Sequence, residues 1–334
     1  MEFKKMMSVL IRLFLLFCIS HQCQGEENIA SIQEPDLKIK NDTGNYELAI
    51  LAAATLTNIT VNGFKISELS GLAWDNDENI LYALSDNGYI LHLRPVFSND
   101  HLKEILFIAG YFLRDQNNRP LRYKASDSEG LTASHTDNHI RGDTQLIVSF
   151  ERIPRIIRYS TSGDLLSEIT LPDVLTDINN YQSENKSLEA VTFNEKFGII
   201  TGPEFALKNQ DSTQMNIYSA SGKSWHFPLH DQYHGGLVDM TIMEDGSTLA
   251  LERSYGGLFP ALQISLHRLN LDETNSSSEI ICNFPADEKI FNNNFEGITR
   301  FRKNRYFMIS DDNNHPFNRT MLLYFSITNS SNKN

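Results

Sequence analysis

The sequence predicts an all-β fold: a β-propeller of five four-stranded blades, with six as the alternative count, closed into a ring by an N-terminal strand. Three observations predict it. One segment pattern recurs five times at the spacing of about 50 residues that marks propeller blades. Each of the first four copies is followed by two further short runs rich in β-branched and aromatic residues, separated by Gly, Asn, Asp and Ser. Nothing reads as a long amphipathic helix.

Taken in chain order, the first 25 residues carry Lys4, Lys5 and Arg12 ahead of an apolar run over 10–19, then polar residues up to Gly25. That pattern predicts a cleaved signal peptide, too short in its apolar part to span a bilayer comfortably. The mature chain is therefore expected to be secreted or periplasmic, with no stable membrane insertion. Residues 26–44 read as a polar lead-in, 45–328 as the propeller and 329–334 as a frayed tail. Cys18 and Cys23 fall in the leader, which leaves Cys282 without an internal disulfide partner, so stability must come from a large apolar core. Losing the leader's net +2 takes the formal charge from −13 to −15. So acidic a surface excludes nucleic acid as a natural partner and favours cations.

The five copies are SGLAWDNDENILYALSDNG from Ser70, EGLTASHTDNHIRGDTQLIVSFER from Glu129, EAVTFNEKFGIITGPEF from Glu189, DMTIMEDGSTLALERSYG from Asp239 and EGITRFRKNRYFMISDDNN from Glu296, starting 59, 60, 50 and 57 residues apart. Each opens on an acid (Ser70 in the first) and closes its second apolar run on another: Asp86, Glu151, Glu204, Glu252 and Asp311. The intervening runs YILHL and EILFIAGY, RIIRYS and SEITLP, MNIYSA and SWHFPL, QISLHRL and SEIICNF supply the outer strands. The fifth copy has only MLLYFSI after it, so its missing strand is assigned to YELAILAA near residue 46, which closes the ring and removes an exposed edge.

Adjacent strands in a blade run antiparallel, so an acid at the start of the first and an acid at the end of the second meet at one end of the central channel. Such crowding is costly, about 4 kcal/mol for two like charges 4 Å apart at an effective dielectric of about 20. It is relieved by protonation, by arginine or by a bound cation. Glu129, Glu189, Glu204, Asp239, Glu296 and Asp311 are the expected metal ligands, and Ca2+, a hard ion that takes carboxylate and carbonyl oxygen, is the expected ion. Glu151 with Arg152, and Glu252 with Arg253, are the expected catalytic pairs, with Arg155 and His234 expected to bind substrate. The alternative for any single acid is that it holds the backbone amides of the next blade, as repeated residues in repeat proteins often serve stacking. His135 and His139 have metal-like spacing but lie in a polar hairpin loop. No G-x-S-x-G, H-E-x-x-H, P-loop or C-x-x-C motif is present.

The set SGLAWD with LYALSDNG, DSEGLTA with SFERIPRIIRY, KSLEAVTF, LALERSY, and NFEGIT with MISDDN resembles the phytase-like family, also called esterase-like activity of phytase, over about residues 65–326. The resemblance implies an exported propeller related to phosphoester hydrolases, with calcium as its ion. It carries the family's acid and arginine positions onto Glu129, Glu151, Arg152, Arg155, Glu189, Glu252, Arg253, Glu296 and Asp311. Ser70 and Ala190 depart from the E-G pair, and the D-D-P-A motifs of the alkaline propeller phytases are absent. The expected function is metal-assisted hydrolysis of a small anionic phosphoester by a monomer. The alternatives are a non-catalytic binding propeller and a calcium-dependent carboxylic-ester or lactone hydrolase.

Overall fold

In the computed structural model, the described residues are 30–56, 59–232, 234–256, 261–315 and 318–329. The segment read as a signal peptide lies outside them. Among the described residues no helix is long and apolar enough to cross a membrane.

The strands form five antiparallel blades. The first holds Leu69–Asp75, Ile80–Ser85, Tyr89–Ser98 and His101–Phe112; the second Ser128–Ser134, Gln145–Phe150, Arg155–Ser160 and Leu165–Ile169. The third holds Leu188–Asn194, Gly198–Pro203, Gln214–Ser219 and Ser224–Pro228; the fourth Gly235–Ile242, Thr248–Gly256, Ala261–Asn270 and Ser277–Asn283. In the fifth, Asn294–Arg302, Arg305–Asp311 and Met321–Asn329 are completed by Tyr46–Thr55, which pairs antiparallel with Met321–Asn329 from Thr55 opposite Met321 to Tyr46 opposite Asn329. The innermost strands pack in succession around the axis, and Asn294–Arg302 returns to Leu69–Asp75. The count is five, and the N-terminal strand closes the ring.

Burial explains why each run takes its place. Innermost strands lie between two neighbouring blades, so Leu69–Asp75 is buried at every position. Outermost strands face solvent on one side, and Ser224–Pro228 alternates exposed and buried. The core divides into five apolar clusters, one at each blade interface. Between the fifth and first blades, Trp74 meets Phe301 edge-on at 4.6 Å while Phe97 stacks on Phe301 at 5.0 Å, geometries that aromatic pairs prefer. Within the stretch read as a lead-in, Ser31–Gln33 and Leu37–Lys40 form two short strands on the free side of Tyr46–Thr55. They cover what is otherwise an open sheet edge.

The innermost strands meet backbone to backbone at one level. A Cβ on Gly130 would lie 2.4 Å from the Glu189 carbonyl oxygen, and one on Gly71 2.8 Å from the Leu131 nitrogen. This close approach accounts for the small residue after the opening position of four of the five repeats, Gly71, Gly130, Ala190 and Gly297.

Candidate metal centre

Each innermost strand carries a β-bulge near its start, where one residue drops out of the ladder and its side chain is re-aimed. The register shifts fall between Leu69 and Gly71, Ser128 and Leu131, Leu188 and Ala190, Leu237 and Asp239, and Phe295 and Gly297. Ser70, Glu129, Glu189, Val238 and Glu296 therefore occupy one equivalent place. On the second strand of each blade, the residues following Ser85, Phe150, Pro203, Glu252 and Ser310 share the facing place: Asp86, Glu151, Glu204, Arg253 and Asp311.

The fourth blade is thus one residue out of step with the sequence expectation. Asp239 sits in the small-residue slot, fully buried, and accepts the N–H of Ile298 in the fifth blade at 2.7 Å and that of Met240 at 2.8 Å. It ties blade to blade, the alternative role set out for these acids. Glu252 points to the opposite face of its strand from Arg253, as strand alternation requires. There it accepts from the backbone N–H groups of His230 and Asp231 and lies 2.7 Å from Nε2 of buried His267. The structure does not bring Asp239 or Glu252 to the channel.

The remaining acids do converge. Carboxylate oxygens of Glu151, Glu189 and Glu204 lie within 4.8 Å of one another, as do those of Asp127, Glu129 and Glu151. Burial, then the charges of Asp86, Glu189, Glu151 and Glu296, holds the Glu129 carboxyl well above the usual range. Burial followed by Glu204, Glu151 and Glu296 does the same for Glu189. Burial and then Asp127 and Glu204 push Glu151 up to about 8; burial and then Glu296 push Asp311 up to about 8. Asp86 is also raised, first by burial and then by Glu296 and Asp311, and its Oδ1 is buried with no hydrogen-bond donor. Glu129 and Glu296 keep some accessible surface, because the lumen of the ring reaches them.

Positive charge enters through three side chains. Arg253, 8% exposed, donates through Nη1 to Asn294 Oδ1 at 2.8 Å and to Glu296, and through Nη2 to Glu204 at 3.3 Å. Lys186 donates to the other oxygen of Glu204 at 2.8 Å. Arg152 holds Asp127 at 2.5 Å beside the channel. Arg155 lies across the Phe150 ring at 3.9 Å and donates to the carbonyls of Ala125 and Ile153, bracing the loop that leads into the second blade. His234 is half exposed next to Asp231, in the loop ahead of the fourth blade.

Sequence reading missed Asp127 and Glu68, whose place in the fifth blade is taken by Asn294. All three stand two residues before a bulged position and face the end of the second strand: Asp127 and Glu68 accept the backbone N–H of Glu151 and Asp86, and Asn294 pairs with Asp311. The polar residue at that offset in ELS, DSE and NFE was the available signal, since strand residues two apart share a face.

The donors are oxygen alone, and Glu129, Glu151 and Glu189 receive no side-chain hydrogen bond from any described residue. Such a set suits a hard divalent cation. Asp77, Asp137 and His139 form a further group of possible ligands in turns at the far ends of the first two blades.

The family model for phytase-like proteins, described as esterase-like activity of phytase, matches residues 65–314. The chain belongs to the phytase-like family. No curated protein matches it. Among solved structures, this phytase-like propeller is similar to the β-propeller domain of Cps50 (Swd1) from Myceliophteria thermophila, 10% identical over 90% of this chain and 99% of that one, with a TM-score of 0.40. It is also similar to a structural-genomics protein of unknown function from Bacteroides thetaiotaomicron, 10% identical over 83% and 72%, with a TM-score of 0.41. A luciferin-regenerating enzyme is 10% identical over 78% and 91%, with a TM-score of 0.37.

Proposed function

We propose that this protein is an exported metal-assisted hydrolase of small phosphoesters, with Ca2+ as its ion. The observation that carries the reading is the crowding of Glu151, Glu189 and Glu204, nine-tenths buried or more, with oxygens within 4.8 Å and only Glu204 supplied with side-chain donors. A divalent cation bound there supplies the positive charge that admits an anionic ester to an acidic channel and offsets charge developing on its oxygens.

The chain's own groups have distinct tasks. Glu151, Glu189 and Glu204 hold the ion. Arg152, 38% exposed and fixed to Asp127 through Nε, presents its terminal N–H groups to phosphate oxygens, a geometry for which a guanidinium is suited. Glu129, whose carboxyl burial and the neighbouring acids hold well above the usual range, is the group we assign to protonate a leaving oxygen. Arg253, committed to Glu204, Glu296 and Asn294, neutralises the ring.

Assay of the chelator-treated protein against an aryl phosphate and an aryl acetate, with and without added Ca2+, tests the reading. Phosphate release is expected to appear with calcium and to drop about 10- to 100-fold in Glu189→Gln. Calcium-dependent cleavage of the acetate alone makes the protein a carboxylic-ester hydrolase. Silence toward both leaves a binding propeller, a reading that Arg253's internal neutralisation of part of the ring favours.

A further inference from the structure

The fifth blade carries a second concentration of charge, of the opposite sign and at the other end of its strands. Over residues 297–310 the chain reads GITRFRKNRYFMIS, which holds Arg300, Arg302, Lys303 and Arg305 and no acid, within a sequence of formal charge −13. Arg302 pairs with Arg305 across the hairpin turn, whereas Asn294 pairs with Asp311 at the channel end where the acids meet. Several arginines elsewhere are neutralised in place: Arg114, Arg119, Arg152, Arg253 and Arg268 each form an ion pair. None of the four hairpin cations forms one with a described residue. Arg302 and Lys303 are exposed, and Arg300 and Arg305 are half-buried. Like charges gathered on one turn repel one another, so the cluster favours an anion from outside.

The surroundings narrow the form of that anion. Asp100 acts on the Tyr324 hydroxyl together with Arg302 and Arg305, and Glu244 and Asp245 act on that of Tyr306 together with Arg300, so acids border the cations on both sides. A broad anionic face, such as a bilayer or a DNA duplex, brings those acids against its own charge, whereas a slender chain touches the hairpin alone. Phe301, Tyr306 and Phe307 are buried, which leaves the hairpin no aromatic ring to stack on bases or to enter a bilayer. Arg305–Asp311 is paired on both sides and Asn294–Arg302 is the innermost strand of its blade, so neither gives a peptide an outer edge on which to extend the sheet. Recognition is left to charge, and three guanidiniums suit the oxygens of carboxylate and sulfate groups.

We infer that the hairpin at 300–305 binds a slender repeating polyanion, an acidic polysaccharide, at the end of the channel remote from the acids. The inference is independent of the hydrolase reading, because neither its cations nor its partner enter the metal centre.

Binding of the purified protein to immobilised dextran sulfate, with uncharged dextran as the baseline, tests this. Wild type is expected to bind, and to lose about 50- to 150-fold in affinity as salt rises from about 50 to about 200 mM, as counterion release from four contacts requires. Arg302→Glu combined with Lys303→Glu is expected to weaken binding at least about tenfold. Arg141→Glu combined with Lys289→Glu makes the same change in net charge at two exposed cations, one near Asp143 and one beside Glu288, and is expected to stay within about threefold of wild type. Arg302→Gln combined with Lys303→Gln is expected to halve the salt dependence, and serves if charge reversal impairs folding. Absence of binding to dextran sulfate, or equal losses in the two charge-reversed pairs, overturns the site. Tighter binding to phosphatidylserine vesicles, duplex DNA or polyglutamate overturns the choice of partner. Phosphate release at the channel is expected to be the same in wild type and in the variants at Arg302 and Lys303, so failure here leaves that reading standing.

Discussion

Arg253→Met isolates the fixed charge in the ring. The guanidinium is 8% exposed, and its partners Glu204 and Glu296 are 9% and 12% exposed at the side chain, so all three are shielded from water. Removing one partner of a buried ion pair costs about 3–5 kcal/mol, because the others stay buried and uncompensated. A domain of this size loses about 2–4 °C per kcal/mol, so the melting temperature is expected to fall by about 6–20 °C. Arg152→Met is the matched control: that guanidinium is 38% exposed and holds only Asp127, and an exposed pair is worth about 0–1 kcal/mol, or less than about 4 °C. Thermal unfolding followed by circular dichroism in chelator, near pH 7.5, measures both. If the two variants melt together, the ring does not depend on Arg253 and the electrostatic account of the channel is wrong.

Three further outcomes follow from the same geometry. Glu151 and Asp311 are pushed up to about 8, well above their unfolded values, so between about pH 4 and pH 8 the native state binds more protons than the unfolded state. Stability in chelator should therefore be fullest below about pH 4 and fall toward pH 8, by at most about 1.4 kcal/mol per unit for each group; a urea midpoint that rises over this window contradicts the shifts. Gly130→Ala drives a Cβ to 2.4 Å from the Glu189 carbonyl and should cost at least about 1–3 kcal/mol by urea denaturation, whereas an unchanged midpoint denies the contact between blades. Asp239→Ala strands the buried N–H of Ile298 and should cost about 1–3 kcal/mol while calcium affinity stays as in wild type; lost affinity would place Asp239 in the channel after all.

Much of this architecture was legible in the sequence, because a propeller repeats its instructions. The blade count came from spacing, and the role of YELAILAA from the one strand the fifth copy lacked. Convergence of acids at one channel end followed from antiparallel pairing alone. The fourth blade escaped because a bulge consumes one residue without leaving a mark on apolar periodicity. Aligning Asp239 with the opening acids of the other copies overlooked that the next slot admits only a small or specially bonded residue, and Met240 is neither. A slip of one residue turns every side chain to the other face, which exchanged Glu252 for Arg253 at the channel. Lys186 was out of reach for a different reason: it comes from a connection between blades, where no period constrains position.

The pairing of Tyr46–Thr55 with Met321–Asn329 also sets the order in which the molecule can be finished. Tyr46–Thr55 must wait for Met321–Asn329, so the fifth blade stays incomplete until that later strand has been synthesised. Ring closure is consequently the most non-local step available to this chain and the one that loop entropy slows most. Asp86 on the first blade and Glu296 and Asp311 on the fifth come to face one another only at that closure, so part of the acid crowding in the channel is imposed by the last step rather than the first.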